Sequence, residues 1–220
     1  MIDNVVFFCK QDCKYSLKLC NWIKKNIKNY NIIYSNKNNQ KITNKIKLKK
    51  IDYIFSFRSH YIIKNKLLKK CSKYAINFHP GPPEYRGIGC ANYALLNNSK
   101  FYGCTAHIIN NKIDNGKILD VKKFKIHKKI NLDILLQKTH NAMFLQAKNI
   151  FKSFLDGKFF NTKNNYKWSK KLYKKKDMLN LYNIRINMDK KKFNNLLRAT
   201  IYKDFKPYIS LNNRKFILKS

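Results

Sequence analysis

The chain has 220 residues, enough for one ordinary domain with a small appendage, and its 44% hydrophobic content suffices for a buried core. No apolar run approaches the ~18 residues of a membrane span and no secretory segment is recognised, so we expect a soluble, cytoplasmic protein with no membrane partner. The formal charge of +37 is compatible with a nucleic-acid partner. Most of the cations are scattered lysines, however, and we favour a compositional drift toward Lys and Asn on solvated faces, with affinity for polyanions as a side effect.

The six cysteines show no pattern typical of a metal site or a disulfide framework. Cys9 and Cys13 are too far apart for a Cys-x-x-Cys pair, and no Cys/His set has zinc-finger spacing. We therefore predict reduced, mostly buried thiols and no bound metal.

In the first third of the chain, predicted strands alternate with helices. Short apolar runs closed by polar residues predict strands at residues 5–12, 30–35, 51–57 and 74–79. Helical spacing of apolar residues predicts helices at 15–27 and 62–71, and the polar residues 36–50 are typical of a loop or a poorly formed helix. This alternation indicates βαβ units, and hence an α/β fold with a mostly parallel sheet flanked by helices.

The middle of the chain continues with further elements of both kinds. A helix is predicted at 89–98, and strands at 103–110 and 117–126 on either side of a tight polar turn. A long amphipathic helix is predicted at 131–157, with Asn131 as its N-cap and Gly157 as its stop.

The composition then becomes rich in Lys and Asn. Beyond residue 158 we predict one helix at 190–202 and a β-hairpin at 208–218 around an Asn-Asn turn. This tail is short for a separate domain, so we predict a catalytic domain at 1–160 and a small C-terminal helix-hairpin extension at 161–220.

Residues 75–96, AINFHPGPPEYRGIGCANYALL, differ from the rest of the chain. They hold three of the four prolines, three of the six glycines and the only glutamate. Such residues make a rigid loop at the end of the strand that finishes at His79.

Three polar residues lie where an α/β sheet usually carries its active site, at or beyond the carboxyl ends of strands. Asn77 and His79 are two apart and so share one side of a strand. Asp114 lies in a turn that Gly116 allows to fold back toward the sheet. Taken alone, each has an ordinary alternative: a structural histidine, a loop-capping asparagine and a common turn residue.

The region around these residues closely resembles the core of the folate-dependent formyltransferases, a family that acts on glycinamide ribonucleotide, methionyl-tRNA or nucleotide sugars. The family pattern is Asn-x-His-Pro, then Arg-Gly, Gly-x-Thr-x-His and Ile-Asp-x-Gly-x-Ile. It matches here at Asn77, His79, Pro80, Arg86, Gly87, Gly103, Thr105, His107, Ile113, Asp114, Gly116 and Ile118. The resemblance implies a Rossmann-like formyltransferase fold.

The resemblance also implies transfer of a formyl group from 10-formyltetrahydrofolate to a primary amine, without a metal. Asn77 would donate a hydrogen bond to the developing oxyanion, and protonated His79 would supply a charged donor. Asp114 would favour the imidazolium and help move protons.

The same resemblance assigns binding residues around the catalytic ones. The folate would be held by the loop after the third strand and by Asp114 on the other side, which gives the cofactor set Phe57, Arg58, Ser59, Tyr61, Ile62 and Asp114. The acceptor would meet Pro82 and the neighbouring Glu84-Tyr85 pair. We predict His60 as a position in the folate loop, His107 as packed, and His127 and His140 as structural or exposed.

Three molecules are candidates for the acceptor. A nucleotide-linked amino sugar suits a compact catalytic domain with a hairpin, whereas initiator methionyl-tRNA suits the charge and glycinamide ribonucleotide suits the length. The usual Gly-rich turn after the first strand is replaced by CKQDCKYS, where Lys10 and Lys14 could meet a phosphate. We favour the amino sugar, with tRNA second, and leave a homodimer open. The alternative from another class is a non-catalytic, basic RNA-binding protein on the same fold.

Overall fold

The computed structural model describes residues 3–36, 46–158 and 165–218. Its strands, in chain order, are β1 (Val5–Lys10), β2 (Tyr30–Ser35), β3 (Ile51–Phe57), β4 (Cys71–His79), β5 (Arg86–Gly87), β6 (Phe101–Ile108), β7 (Ile118–Lys125), β8 (Leu172–Tyr173), β9 (Tyr208–Leu211) and β10 (Arg214–Ile217). Its helices are α1 (Lys14–Asn26), α2 (Asn65–Leu68), α3 (Cys90–Leu96), α4 (Leu132–Leu155), α5 (Lys175–Asn180) and α6 (Lys190–Thr200).

Six of the strands form one central sheet in the order β2-β1-β3-β4-β6-β7. The first four strands in this order are parallel to one another. Strands β6 and β7 join antiparallel, and the last four residues of β4 pair with the last four of β6, with Ile76 opposite Ile108 and His79 opposite Thr105. The α/β prediction with a mostly parallel sheet is confirmed.

Both faces of the central strands are buried, because α1 and α4 cover one face and the short helix α2 with its neighbouring loops covers the other. On β1, Val5, Phe7 and Cys9 pack into the core under α1 and α4, whereas Val6 and Phe8 pack into the core of the opposite face. This division follows from the two-residue period of a strand, and it explains why β1 reads as a continuous apolar run.

The predicted helix at 62–71 is wrong at both ends. Only Asn65–Leu68 is helical, Ile62 is exposed, and Cys71 already belongs to β4, where it pairs with Ile51. The helix has no side-chain cap at its start, and pairing of Cys71 with the buried strand β3 outweighs the helical pattern at its end.

The long helix and the tail agree closely with their predictions. Asn131 caps α4 by accepting a hydrogen bond from the Ile134 amide at 2.9 Å, and Gly157 follows the helix in the left-handed region. The hairpin β9–β10 turns at Asn212 and Asn213, both with positive φ as a type I′ turn requires. The division into domains at residue 160 stays a prediction, and most of the predicted loop 36–50 lies outside the described residues.

The cysteines, the possible metal ligands and the apolar helices can each be located among the described residues. Five cysteines are buried and Cys71 is half-buried. Within residues 3–36, 46–158 and 165–218, no three His, Cys, Asp or Glu side chains are grouped as a metal site. No described helix is both long and apolar enough to cross a bilayer.

The aromatic core between the sheet and α4 gives the first prediction. Phe55 is fully buried and its ring lies 4.6 Å from that of Phe151. We expect Phe55→Ala to lower the free energy of unfolding by about 3–5 kcal/mol, because it removes buried apolar surface and leaves a cavity. Denaturant unfolding measures the change.

The matched control is Phe101→Ala on β6, whose side chain is 56% exposed. It should change the stability by only a few tenths of a kcal/mol, roughly the effect of an ordinary surface substitution. Equal losses in the two variants would contradict the placement of the core.

Candidate active site

Strands β4 and β6 bring three polar side chains together at the edge of the sheet. Asn77 and His79 lie at the carboxyl end of β4, and the antiparallel register sets Asn77 opposite His107 on β6. The Asn77 amide nitrogen is 3.2 Å from His107 Nε2. The two imidazole side chains are each only 3% exposed.

The loop between β6 and β7 carries Asp114 back over this edge. Asp114 has a positive φ of 42°, and a Cβ at Gly116 would lie 1.8 Å from the Ile108 carbonyl, so only glycine permits the close return. Arg86 holds the loop from outside, because Nε and Nη2 both donate to the Ile113 carbonyl at 3.0 and 2.9 Å.

The Asp114 carboxylate is the centre of the site. Its Oδ2 lies 3.2 Å from His79 Nδ1 and accepts from the Gly87 amide at 3.2 Å. Its Oδ1 lies 3.4 Å from both His107 Nε2 and the Asn77 amide nitrogen. Burial favours the neutral acid, but His79, His107 and the Gly87 amide outweigh it and hold the pKa of Asp114 below its ordinary value.

His79 is held as an imidazolium. Its Nε2 lies 2.9 Å from the Tyr85 carbonyl, which can only accept, and its Nδ1 faces the Asp114 carboxylate, so both ring nitrogens carry a proton. Burial works against this charge, but Asp114, Cys90 and the Tyr85 carbonyl together raise the pKa of His79 to about 9. The ring is therefore charged throughout the neutral range.

A segment far along the chain closes the site. The Trp168 indole Nε1 donates to the Gly116 carbonyl at 2.7 Å, and its ring lies almost perpendicular to that of His107 at 5.0 Å. The Ser169 amide donates to the Pro83 carbonyl at 3.0 Å. The short strand β8 then pairs with β5, so the C-terminal part of the chain contributes to the same site.

The predicted folate residues lie in the loop at the carboxyl end of β3. Phe57 is buried, and Arg58 has a positive φ of 55° and donates to the Cys13 thiol at 3.2 Å. Ser59 hydroxyl accepts from the Tyr61 amide at 3.0 Å, and the Tyr61 ring stacks on Phe8. Ile62 is 68% exposed. Their contact with folate stays a prediction.

The predicted acceptor residues are placed differently from one another. Pro82 and Tyr85 are buried, and the Tyr85 carbonyl is the partner of His79. Glu84 is exposed and pairs with Lys123. Of this set, Glu84 is the exposed side chain, and contact with an acceptor stays a prediction for all three.

Two members of the site were not identified as functional from the sequence. His107 is buried as predicted and in addition contacts Asp114; the signal was its position two residues after Thr105 on a strand. Trp168 lies in a segment without periodicity, so nothing local pointed to it. His127 is exposed, and His140 is half-buried, where burial and then Arg58 and Lys10 lower its pKa to about 3.

The sheet order and the placement of the site define the Rossmann-like formyltransferase fold. A sequence model described as "Formyl transferase" matches residues 4–146, well over half of the chain. The chain belongs to the formyl transferase family.

Similar proteins of known sequence and structure extend the comparison. A methionyl-tRNA formyltransferase of Finegoldia magna is 26% identical over 115 residues, which cover 51% of this chain and 36% of that protein. The chain thus matches only about a third of the length of this curated relative.

Solved structures match over almost the whole chain. A 4-N formyltransferase of Francisella tularensis has a TM-score of 0.78 at 20% identity, covering 97% of this chain and 96% of that one. An N-formyltransferase of Helicobacter canadensis, solved with folinic acid and dTDP-3-aminofucose, has a TM-score of 0.74 at 21% identity, covering 97% and 86%. At these identities the structures establish the shared fold.

The His79–Asp114 pair predicts a particular pH dependence. Because the folded-state pKa of His79 lies above its ordinary 6.5, the pair adds stability that is fully present below 6.5 and is lost as the pH rises through about 9. The pKa of Asp114 is lowered from 3.8, so the contribution is also lost as the solution is acidified below that value.

Asp114→Asn should lower the pKa of His79 well below 9, since burial then acts without an opposing charge. NMR titration of the five histidines measures it. The matched control is Asp120→Asn on β7, which removes a carboxylate that contacts Gln146 and should leave the titration of His79 unchanged. A His79 pKa that stays near 9 in Asp114→Asn would refute the assigned cause.

Proposed function

We propose that this protein transfers the formyl group of 10-formyltetrahydrofolate to a primary amine carried by a nucleotide-linked sugar. The observation that carries the proposal is the buried cluster of Asn77, His79, His107 and Asp114 at the edge of the sheet, within the part of the chain that matches the family. The acceptor is supported by the structural likeness to a protein solved with folinic acid and dTDP-3-aminofucose.

The reaction exchanges one carbon–nitrogen bond for another. The acceptor amine attacks the formyl carbon and loses a proton, while the bond from that carbon to the folate nitrogen breaks and this nitrogen gains a proton. Negative charge develops on the formyl oxygen during attack, so fixed N–H groups and positive charge beside it lower the barrier.

Asn77 is the best placed direct donor. Its side chain is half-buried, whereas the rings of His79 and His107 are almost completely buried. Its amide nitrogen lies 3.2 Å from His107 Nε2 and donates to Asp114 at the longer distance of 3.4 Å, so the amide is oriented before any substrate arrives. To donate to the formyl oxygen, one of its two N–H groups must turn from these partners, and the long contact with Asp114 is the weaker one to give up.

His79 supplies a fixed positive charge to the site. Both of its N–H groups are engaged, with Asp114 and with the Tyr85 carbonyl. For His79 to donate directly to the formyl oxygen, its Nε2–H must leave the Tyr85 carbonyl. With the ring in place, it acts through its charge at short range in a site of low polarity.

Asp114 keeps the imidazolium charged and oriented. Its lowered pKa makes it a weak base at neutral pH, so its main role is to hold His79 and Asn77 in position. Proton movement from the amine to the folate nitrogen then runs past this carboxylate, which stabilises the positive charge on the way.

The loop after β3 suits the folate donor. It lies at the carboxyl end of a strand adjacent to β4, and the exposed Ile62 offers an apolar surface for a flat ring. Phe57, Arg58, Ser59 and Tyr61 would shape this loop from within, through the contacts described above.

The direct test is an assay of formyl transfer with several acceptors. Purified protein would receive 10-formyltetrahydrofolate and, separately, amino-sugar nucleotides, glycinamide ribonucleotide and charged initiator tRNA. Release of tetrahydrofolate with an amino-sugar nucleotide is the expected result. No release with any acceptor would reject the enzymatic proposal.

Substitutions in the cluster should separate chemistry from binding. Asn77→Ala should lower turnover by about 10²–10³-fold, as typically follows from loss of one oxyanion donor. His79→Ala should lose turnover while folate still binds, because the ring contacts the loop of Asp114 and not the loop after β3. Single-turnover kinetics and folate titration measure the two effects.

The control for these variants is His127→Ala, whose side chain is exposed and away from the cluster. It should retain wild-type turnover. Wild-type turnover in His79→Ala would contradict the role of the imidazolium.

A tRNA acceptor is the second candidate, supported by the charge of +37 and by the methionyl-tRNA formyltransferase relative. If tRNA is the acceptor, tetrahydrofolate is released with charged initiator tRNA and with none of the other acceptors. A third result, RNA binding that weakens steeply with salt and is accompanied by no transfer, would favour a non-catalytic RNA-binding protein.

A further inference from the structure

An open groove of about 390 Å³ lies directly beside Asp114. One wall is the chain that follows Asp114, with Lys117 and Ile118, and the other is the C-terminal segment with Tyr166, Lys167 and Trp168. We call this the lysine–aromatic groove. Its volume falls within the ~300–1,000 Å³ range of small-molecule sites, so it is large enough for one nucleotide.

The two walls are held together by specific contacts. The indole N–H of Trp168 is bonded to the Gly116 carbonyl, and its ring packs against the imidazoles of His79 and His107. Lys123 lies 5.7 Å from the centre of the Tyr166 ring and also pairs with Glu84. The groove is therefore a built feature of the active-site edge, whose aromatic wall comes from a distant part of the chain.

The charges in the groove point to an anionic ligand. Lys117 and Lys167 are both exposed, and neither ammonium forms a salt bridge within the described parts of the chain. Among the residues that the structure describes, none of those lining the groove is acidic. Two unpaired lysines on facing walls are suited to the oxygens of a diphosphate.

The aromatic rings point to a ligand that also carries a base. Tyr166 is 46% exposed, and Trp168 is fixed by its hydrogen bond, so a planar ring can pack against this wall at little conformational cost. Base stacking on aromatic side chains is favourable for every nucleobase, which makes the wall a general platform.

We propose that the lysine–aromatic groove binds the nucleoside diphosphate of the acceptor, with Lys117 and Lys167 on the phosphates and Tyr166 against the base. Because the groove begins one residue beyond Asp114, a sugar attached to the diphosphate lies toward Asn77 and His79. The assignment of this ligand as the carrier of the amine rests on the proposed formyl transfer; the binding of a nucleoside diphosphate does not.

The test is binding of UDP and of dTDP alone to the whole protein, without folate or acceptor amine. The chain has two tryptophans, and Trp22→Phe leaves Trp168 as the single reporter of the groove. We expect either nucleotide to change Trp168 fluorescence and to show the same affinity by calorimetry.

Charge and stacking are then separated by substitution. Lys117→Ala and Lys167→Ala should each weaken UDP or dTDP binding about tenfold, the typical loss for one charge-assisted hydrogen bond. The matched control is Lys148→Ala, which removes the same charge beside a second groove between α1 and α4 and should not change the affinity. Equal losses in all three variants would overturn the proposal in favour of general charge attraction.

Tyr166→Ala should weaken UDP and dTDP binding, whereas Tyr166→Phe should retain it, because only the ring is needed. Inorganic pyrophosphate is the probe for the phosphate part alone, and should bind more weakly and be insensitive to Tyr166→Ala. Pyrophosphate that binds as tightly as UDP and dTDP would overturn the assignment of a nucleoside.

Failure of this inference can be told apart from failure of the proposed formyl transfer. Absence of UDP and dTDP binding, combined with formyl transfer to glycinamide ribonucleotide, overturns this inference and leaves formyl transfer intact. A short single-stranded RNA that binds and changes Trp168 fluorescence, when neither nucleotide does, overturns it as well and favours a macromolecular acceptor.

Discussion

The Asp114 carboxylate draws together parts of the chain that have no other reason to meet. It contacts His79 and Asn77 from β4, the Gly87 amide from β5 and His107 from β6. A buried carboxylate and a buried imidazolium are costly unless each has a partner, and here each supplies the other's. Replacing such a pair by well-packed apolar side chains is often neutral for stability, whereas removing one partner alone is costly, so we assign its value to a fixed geometry and a fixed charge at the site.

The surrounding fold can be understood as support for that carboxylate. The reversal of direction at β6 sets His107 against Asn77, which a wholly parallel sheet would not do. The glycine at 116 allows the return of the Asp114 loop, and Arg86 and Trp168 hold the loop at the Ile113 and Gly116 carbonyls. The short β5–β8 pairing brings the C-terminal segment to the same place. The aromatic core under α4 keeps the strands in register beneath it.

Elements with a strong local signal were predicted correctly from the sequence. The apolar runs of β1 and β3, the Asn131 cap and the Asn212-Asn213 turn all follow from short-range preferences, and each is found in the structure. The helix predicted at residues 62–71 is wrong in its extent, because pairing of Cys71 with Ile51 makes Cys71 the first residue of β4. The parts played by His107 and Trp168 could not be predicted, because they depend on partners about 30 and 50 residues away in the chain, at Asn77 and Gly116.

By itself, the sequence determined the α/β class, the identity of the three polar groups at the strand ends, and their resemblance to one family, since these depend on residue type, period and spacing. Only the tertiary structure decided what these groups do to one another. The protonation of His79, the low pKa of Asp114 and the groove formed by Lys117 and Tyr166 come from atoms a few ångströms apart that belong to distant segments. Electrostatic interactions and pKa shifts depend on distance and burial in the folded chain, and neither distance nor burial can be read from the amino-acid sequence.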